Sequence, residues 1–433
     1  MPYQRRVVIT GIGAVTPVGL SAQETWDALT KGKSGIAPIT AFDVSLFKTK
    51  FAGEVKGFDP SYLMDHKEAR KMDRYSQLSI AAVDEAMRDS QLDVNQEDKS
   101  RIGVIWGSGM GGLQTTEREC FDYAKGDGTP HFNPFMIPKA IPNIAAGLIT
   151  IRWGLKGLSL AVSSACSSSS HALIMALDQI RLGRADIIIS GGADADVTYT
   201  GIGGFNALHA LSTRNDSPHT ASRPFSKSRD GFILSEGAGC LILEDYEHAK
   251  ARGAKIYAEL VGGALTSDAY HMTAPDPEGQ GAESVMRMAI QDAQISPDAI
   301  DYINTHGTST PLGDIAEVKA IKAVFGEHVY DMNLSSTKSM TGHMIGGTGA
   351  VEALASIMAL KEGIIPPTIN HAEDDVDEEI DTRINFTFNK AQERNIRYAL
   401  SNTFGFGGHN ATLIFKKWEE KPHNCYSSLV TFK

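Results

Sequence analysis

Cysteine is scarce in this chain, and its scarcity excludes several kinds of protein. The 433 residues include four cysteines, which form neither a CxxC pair nor a Cys/His spacing typical of a zinc site. A small disulfide-bonded scaffold is therefore excluded, and such sparse use of cysteine is typical of a reducing compartment. We expect a cytoplasmic protein that requires no metal ion for catalysis.

Long hydrophobic runs are absent as well. The longest apolar stretch, residues 144–151, ends at Arg152 and is too short to cross a bilayer. The first residues, Met1 to Arg6, lead into a short strand pattern and not into the apolar segment of a signal peptide. The sequence therefore predicts neither a membrane span nor a signal peptide.

Positive charge is in deficit, with 41 basic against 52 acidic residues and a net charge of −11. Such a chain is a poor candidate for general nucleic-acid binding, and an acidic partner would need a local basic patch. Lys67, Arg70, Lys71 and Arg74 supply one, at a spacing that predicts a single helical face. The acidic run at residues 373–379 has no spaced ligand pattern and is typical of a solvated loop.

Much of the sequence consists of apolar strand patterns that end in glycine turns. They alternate with helical patterns, as at residues 21–29 and 76–87, which predicts an α/β fold with a buried, largely parallel sheet. The order of elements repeats in the second half of the chain. Strand patterns at 6–13, 102–106, 158–162 and 185–190 are matched by 256–261, 299–304, 332–335 and 396–401. We expect two similar halves, residues 1–255 and 256–418, followed by a polar tail at 419–433.

Cys166 is the candidate nucleophile. It follows the strand pattern at residues 158–162, stands in a serine-rich turn and precedes a helical pattern that starts near His171. A thiol at the start of a helix feels the positive end of the helix dipole, which favours the thiolate. A lone cysteine after a strand is more often a small buried residue, so this position needs support from other groups.

Two histidines in similar turns give that support. His306 stands in Asn304-Thr305-His306-Gly307-Thr308, and His343 ends the segment that starts at Thr337. Turns at the ends of strands are where open α/β sheets build their sites. A cysteine nucleophile with two such histidines indicates covalent thioester chemistry.

At this point the motifs match a known family. The sequence resembles the β-ketoacyl-[acyl-carrier-protein] synthases, most closely the type II members, over nearly the whole chain from about Arg5 to Lys416. The residues that carry the resemblance are Ser164-Ala165-Cys166-Ser167, Leu211-Ser212-Thr213-Arg214-Asn215, Ser222-Arg223-Pro224-Phe225, Arg229-Asp230-Gly231-Phe232, His306-Gly307-Thr308-Ser309-Thr310-Pro311, Ser336-Thr337-Lys338-Ser339-Met340-Thr341-Gly342-His343 and Asn402-Thr403-Phe404-Gly405-Phe406-Gly407-Gly408.

The resemblance implies a thiolase-like fold, with two similar halves in a five-layered αβαβα sandwich. It implies an acyltransferase of fatty-acid elongation that joins an acyl group on Cys166 to malonyl-[acyl-carrier-protein], giving 3-oxoacyl-[acyl-carrier-protein], carbon dioxide and free carrier. No cofactor is implied, because the phosphopantetheine arrives on the carrier. The partners would be the acyl- and malonyl-loaded carrier and a second copy of the chain, with no nucleic acid and no membrane.

The resemblance also assigns roles to further residues. His306 and His343 would stabilise the enolate, and backbone N–H groups of Cys166 and Phe404 would form the oxyanion hole, with the Phe404 ring gating the acyl pocket. Lys338 would pair with Glu352 behind the histidines. Substrate contacts would come from Met110, Phe205, Thr308, Thr310, Asp268 and His271, and a structural monovalent cation from Asn304, Glu352, Ser401 and Asn402.

Two features depart from the family pattern. Four serines, Ser167 to Ser170, follow the nucleophile where a small residue or glycine is common. The carrier-docking surface has His209 and Thr129-Pro130-His131 where basic residues would be expected.

There are five alternatives to this function, two of which, the thiolase-type enzymes, share the same fold. A thiolase would use a second cysteine and a chalcone-synthase-like enzyme a Cys-His-Asn set, so the two histidines argue against both. A non-catalytic partner subunit of a polyketide synthase would lack the nucleophile. Nothing in the sequence favours a cysteine hydrolase. A secondary-metabolite ketosynthase with the same three residues is the remaining alternative, and the preferred acyl-chain length is not predicted.

Overall fold

A computed structural model describes residues 5–419, and ten of the strands in that range form one sheet. The strands are β1 (Val7–Val15), β2 (Ala37–Pro38), β3 (Phe51–Ala52), β4 (Ile102–Gly107), β5 (Ser159–Val162), β6 (Ile187–Ala195), β7 (Glu236–Asp245), β8 (Ala258–Ser267), β9 (Tyr302–Asn304), β10 (Asn333–Ser335), β11 (Ile364–Ile365), β12 (Gln392–Glu393), β13 (Tyr398–Gly405) and β14 (His409–Lys417). The α-helices are α1 (Ala22–Thr30), α2 (His66–Ala69), α3 (Arg74–Ser90), α4 (Leu113–Lys125), α5 (Met136–Ala140), α6 (Ile144–Trp153), α7 (Ser168–Arg181), α8 (Tyr199–Ala207), α9 (Tyr246–Ala251), α10 (Gln280–Asp292), α11 (Pro311–Phe325), α12 (Lys338–Thr341) and α13 (Thr348–Glu362).

The ten-stranded sheet consists of two halves with the same topology. Its order is β10-β9-β13-β14-β8-β1-β7-β6-β4-β5. In one half β4 runs parallel to β5 and β6, whereas β7 is antiparallel to both β6 and β1. In the other half β9, β10, β13, β14 and β8 repeat those relations. The halves join where β1 pairs with β8 over two residue pairs.

The prediction of a largely parallel sheet is wrong. Parallel pairs are confined to β5-β4-β6 and β10-β9-β13, and the other pairs are antiparallel. The physical reason is that β1, β6 and β7 are buried along their whole lengths. A strand covered on both faces is a continuous apolar run whichever way its neighbours point, so the sequence pattern carries no strand direction.

Helices cover both faces of each half and complete five layers. One outer layer is formed by α3 and α6, the other by α10 and α11, and α7 and α13 pack between the two sheet halves. The main hydrophobic core lies in this middle layer and includes Leu173, Leu177, Leu354 and Ile357, all fully buried. The predicted αβαβα sandwich is therefore confirmed.

The described part of the chain ends two residues after β14. The last strand, β14, extends to Lys417, and the predicted polar tail lies outside the described residues from position 420 onward. Between residues 5 and 419 no helix has both the length and the apolar character needed to cross a membrane.

Candidate active site

Cys166 lies in the turn between β5 and α7, as the sequence pattern predicts. Its neighbour Ala165 has a φ of +51°, a left-handed conformation that few residues with a side chain adopt. A short 3₁₀ turn, Ala165–Ser167, then runs directly into α7. This sharp reversal presents the Cys166 thiol at the start of the helix, where it is 7% exposed.

Hydrogen bonds of the following serines hold the nucleophile turn. The Ser168 hydroxyl donates to the Ala165 carbonyl at 2.7 Å and accepts from the Ser164 N–H at 2.9 Å. The Ser169 hydroxyl accepts from the backbone N–H of Ala350 in α13 at 3.0 Å. The unusual serine run therefore fastens the turn to itself and to the neighbouring central helix.

The charge state of the Cys166 thiol differs from the expectation based on the helix dipole. Burial raises the pKa of the thiol to about 11, although a backbone N–H of Phe406 and the ammonium of Lys338 act in the opposite direction. The cost of placing a charged sulfur in a buried site outweighs these favourable contacts. The buried sulfur is therefore a neutral thiol at rest, and it would need a proton acceptor in order to attack as a nucleophile.

The two histidines converge on that thiol from the other half of the sheet. His306 follows β9, and His343 follows β10 and the short helix α12. The Cys166 sulfur and one ring nitrogen of each histidine all lie within 4.8 Å of one another. The two rings meet edge to face with centroids 5.5 Å apart. Cys166 thus forms one cluster with two histidines that lie more than a hundred positions later in the chain.

Both imidazoles are neutral in this environment. Burial holds the pKa of each ring well below its usual value, and the positive charge of Lys338 lowers it further. The Nδ1 atom of His343 lies 2.9 Å from the Thr348 hydroxyl. When that hydroxyl donates, the ring proton resides on Nε2, which has no partner among the described residues. A neutral ring with this tautomer is a hydrogen-bond donor and not a source of positive charge.

Glu317 positions His306 from behind. Its carboxylate accepts the backbone N–H groups of His306 and Gly307, both at 2.8 Å. Neither Glu317 nor Thr348 stands out in the sequence, because each belongs to an ordinary helical pattern. Only the folded chain brings them to the histidines.

Lys338 and Glu352 form an ion pair beneath the cluster. Both side chains are at least 98% buried, and the Lys338 ammonium donates to Oε1 of Glu352. The pair lies where the resemblance implies it. It places a fixed positive charge close to both histidines, which explains part of their low proton affinity.

Three buried oxygens near this pair have no hydrogen-bond partner among the described residues. They are Oε2 of Glu352, Oδ1 of Asn304 and Oγ of Ser401. Asn304 and Ser401 are direct neighbours across β9 and β13. Oxygen sets of this kind fit a hard cation. The side chain of Asn402 is not part of the set, since its oxygen accepts from the Thr412 hydroxyl at 2.7 Å.

A cavity of about 720 Å³ opens above the cluster. Its walls include five of the six predicted substrate contacts, namely Met110, Phe205, Asp268, Thr308 and Thr310. The sixth, His271, does not line the cavity. Its Nδ1 accepts the N–H groups of Thr273 and Ala274 at 3.1 and 3.0 Å, which places it within its own exposed loop.

Two phenylalanines of β13 and the glycine-rich loop after it lie close to the cluster. Phe404 lies within β13, paired with Asn410, and its ring packs against His306 with centroids 5.7 Å apart. The backbone N–H that lowers the pKa of the Cys166 thiol belongs to Phe406, two residues later. Strand pairing keeps Phe404 in the sheet, whereas the chain leaves the sheet before Phe406. This makes the N–H of Phe406 a candidate for the second donor of an oxyanion hole.

The predicted basic face is interrupted. α2 ends at Ala69, and α3 starts at Arg74 after the N-cap Asp73, so the four basic residues do not share one helix. Arg74 points inward and forms two hydrogen bonds of 2.7 Å with Glu236. Lys67, Arg70 and Lys71 remain exposed and form the basic patch.

Comparison with known proteins gives consistent results. The family model described as beta-ketoacyl synthase, N-terminal domain, matches residues 4–249, and that of the C-terminal domain matches residues 257–372. The chain is 46% identical over 414 residues to the 3-oxoacyl-[acyl-carrier-protein] synthase 2 of Coxiella burnetii, with 96% of this chain and 99% of the relative covered. It is 46% identical over 422 residues to the protein of the same name from Staphylococcus aureus, with 97% and 100% covered.

Solved structures are similar over the same span. A beta-ketoacyl synthase from Burkholderia phymatum superposes with a TM-score of 0.88 at 36% identity, covering 96% of this chain and all of the other. A type II polyketide ketosynthase bound to a hexaketide and in complex with its acyl-carrier protein has a TM-score of 0.86 at 34% identity, with the same coverage.

Proposed function

The chain belongs to the β-ketoacyl synthase family, and on that basis we propose that it elongates acyl chains by decarboxylative condensation with malonyl-[acyl-carrier-protein]. The observation that carries the proposal is the cluster of Cys166, His306 and His343 within 4.8 Å at the base of the 720 Å³ cavity. The enzyme is an acyltransferase, and its product is a 3-oxoacyl-[acyl-carrier-protein].

Acyl transfer from the carrier to Cys166 is the first half of the reaction. As the sulfur attacks the thioester carbonyl, the thiol proton passes to the His306 ring, because Nε2 of the neighbouring His343 already carries a proton. The oxyanion that forms accepts the N–H groups of Cys166 and Phe406; losing one such donor typically costs about 3–4 kcal/mol. The tetrahedral intermediate then expels the carrier thiolate, which takes the proton and leaves Cys166 acylated.

Condensation is the second half. Malonyl-carrier enters the cavity and loses carbon dioxide, and the electron pair of the broken bond forms an enolate. N–H donors on His306 and His343 stabilise the enolate oxygen. The enolate carbon attacks the acyl group, a carbon–carbon bond forms, and the expelled Cys166 thiolate takes up a proton from solvent. Neutral histidines suit this step because each can donate an N–H.

The curated relatives favour elongation over a polyketide pathway. Relatives that are 46% identical over nearly the full length are 3-oxoacyl-[acyl-carrier-protein] synthases 2, whereas the polyketide ketosynthase structure is 34% identical. We therefore propose acyl-carriers as substrates, with the phosphopantetheine arm passing Thr308 and Thr310.

A series of acyl-carriers of graded length, with malonyl-carrier, tests the function and the pocket together. The wild type should release 3-oxoacyl-carrier and carbon dioxide; no product at any length would refute the proposed function.

Met110→Gly should admit longer chains by removing a wall residue, and Met110→Trp should shorten the accepted chain. Each change should alter the ratio of long- to short-chain kcat/KM by about tenfold or more. If both variants kept the chain-length profile of the wild type, Met110 would only fill space in the core.

The basic patch of Lys67, Arg70 and Lys71 is the proposed docking surface for the acidic carrier. Exposed charges that steer a partner act on the encounter and weaken with salt. Lys67→Glu with Lys71→Glu should raise KM for acyl-carrier several-fold and flatten its salt dependence. A small acyl thioester without the carrier should react as before. The control is the double variant Lys33→Glu with Lys390→Glu, which changes exposed lysines outside the cavity. If the two double variants raised KM equally, the basic patch would not be the docking surface.

The unpartnered oxygens of Asn304, Glu352 and Ser401 are the proposed site of a structural monovalent cation. Such an ion would stabilise the turn below the histidines and take no part in bond changes. We expect the melting temperature to rise by a few degrees when potassium or sodium replaces tetramethylammonium. Ser401→Ala should remove the difference. Ser190→Ala is a matched control, since Ser190 lies at the equivalent position of β6 and its buried hydroxyl is also unpartnered. An ion effect that survives Ser401→Ala would refute the site.

A homodimer is proposed from the edges of the sheet. The edge strand β10 is covered, because its Leu334 N–H donates to the Asn385 carbonyl at 2.8 Å. The opposite edge, β5, is partly exposed and is paired on one side only. Open edge strands invite pairing with another chain. Sedimentation equilibrium should give twice the chain mass, and a monomer at micromolar concentration would contradict the proposal.

A further inference from the structure

Asp194 is a fully buried carboxylate at the end of β6, and the proposed chemistry does not use it. Its two oxygens accept four hydrogen bonds. Oδ1 accepts from the Ser108 hydroxyl at 2.7 Å and the Met110 N–H at 3.2 Å. Oδ2 accepts from the N–H groups of Gly109 at 2.8 Å and Gly346 at 2.7 Å.

These donors come from two separate turns that both form walls of the cavity. Gly109 and Met110 belong to the turn after β4, and Ile345 belongs to the turn that follows His343. The turns touch each other at this point. A Cβ on Gly346 would lie 2.5 Å from the Gly109 nitrogen and 2.6 Å from Oδ2 of Asp194. The two turns are therefore so close that a side chain at position 346 would clash with both groups.

Asp194 holds these turns with a charge that burial makes costly. Burial raises the pKa of the carboxyl to about 6, and the four donors oppose the rise. The four donors favour the anion, and they occupy its acceptor sites with the two turns. Charge-assisted hydrogen bonds of this kind are short and directional. A small change in the carboxylate therefore moves both turns.

We propose that Asp194 is a positioning residue that sets acyl-chain selectivity, by fixing the Met110 turn against the Ile345 turn. This inference rests on the proposed function. It adds that Asp194, which does not line the cavity, determines the size of the acyl pocket. Because Ile345 lies two residues after His343, the same anchor also connects the pocket wall to the catalytic cluster.

The test measures acyl loading of Cys166 by intact mass, with acyl-carriers of graded length. In Asp194→Asn an NH₂ group replaces one acceptor and faces backbone donors, so the turns should separate. The ratio of long- to short-chain loading rates should change by about tenfold, the effect typical of one methylene in a pocket. Asp194→Glu retains the acceptors one methylene further out. It should be more stable than the asparagine variant and still shift the profile.

Glu85→Gln is the matched control. Glu85 is also a largely buried carboxyl that anchors backbone N–H groups of two segments, Ala14 and Ala22 at 2.9 Å, but it lies outside the cavity. The Glu85→Gln variant should have a lower melting temperature and an unchanged chain-length profile. If Asp194→Asn does not fold, Ser108→Ala removes one of the four donors and should give a smaller shift of the same kind.

The outcomes separate the two proposals. Equal loss of loading at every chain length in the Asp194 and Ser108 variants would overturn the selectivity role, because a purely structural residue acts that way. A wild type that accepts no acyl group on Cys166 would instead overturn the proposed function itself.

Discussion

Replacing Cys166 with alanine should abolish acylation of the protein and reduce condensation to background. The nucleophile forms the covalent bond between the protein and the acyl group in the proposed reaction, so its loss should lower kcat on the order of 10⁴-fold or more, as for other removed nucleophiles. Intact-mass measurement after incubation with acyl-carrier should show the acyl adduct in the wild type and none in the variant. An undiminished adduct on the variant would assign the nucleophile to another residue.

Cys240→Ala is the control for that measurement. Cys240 is a buried free thiol like Cys166, but it lies in β7, and burial raises the pKa of its thiol well above the usual value. It does not line the cavity. The Cys240 variant should therefore load and condense as the wild type does, which distinguishes loss of the nucleophile from loss of a core cysteine.

Replacing His343 with alanine should separate the two halves of the reaction. We expect Cys166 still to accept an acyl group, whereas carbon dioxide release from malonyl-carrier should fall by about 10²–10³-fold, the usual effect of removing one donor to a developing oxyanion. His343→Gln offers an amide N–H in place of the ring N–H and should retain an intermediate rate. Labelled carbon dioxide and intact mass together measure both steps.

His328→Ala is the control for the histidine experiment. The His328 ring lies 2.9 Å from the Ile300 carbonyl, outside the cavity, and its removal should leave both steps intact. Normal decarboxylation by His343→Ala would refute its role at the enolate. Loss of acylation with normal decarboxylation would instead make His343 the proton acceptor of the first step.

Much of this site follows from local sequence. The turn around Cys166 is predicted because an apolar run, a serine-rich turn and a helical pattern are contiguous, and Ala165 adopts the sharp conformation that such a turn needs. His306 and His343 stand in similar turns after short strands. The repeated order of elements likewise predicts two similar halves, and each half of the sheet has the same strand order. All of these features depend on residues close together in the chain.

Other features were decided only by tertiary structure. Strand direction in the sheet is one, since burial on both faces erases the difference between parallel and antiparallel runs. The neutral Cys166 thiol is another, because the helix dipole is a local effect whereas desolvation depends on every segment that covers the sulfur. The inward turn of Arg74 toward Glu236 is a third.

The sequence by itself determined the fold family and pointed to the proposed nucleophile and the two histidines, because each is carried by contiguous motifs. Tertiary structure decided which atoms meet. It brings the N–H of Phe406 to the Cys166 thiol, whereas strand pairing holds Phe404 in the sheet. It also brought Asp194 to two turns 85 and 152 residues away in the chain. Hydrogen bonds over such separations depend on how the layers pack, and no local pattern of residues encodes that packing.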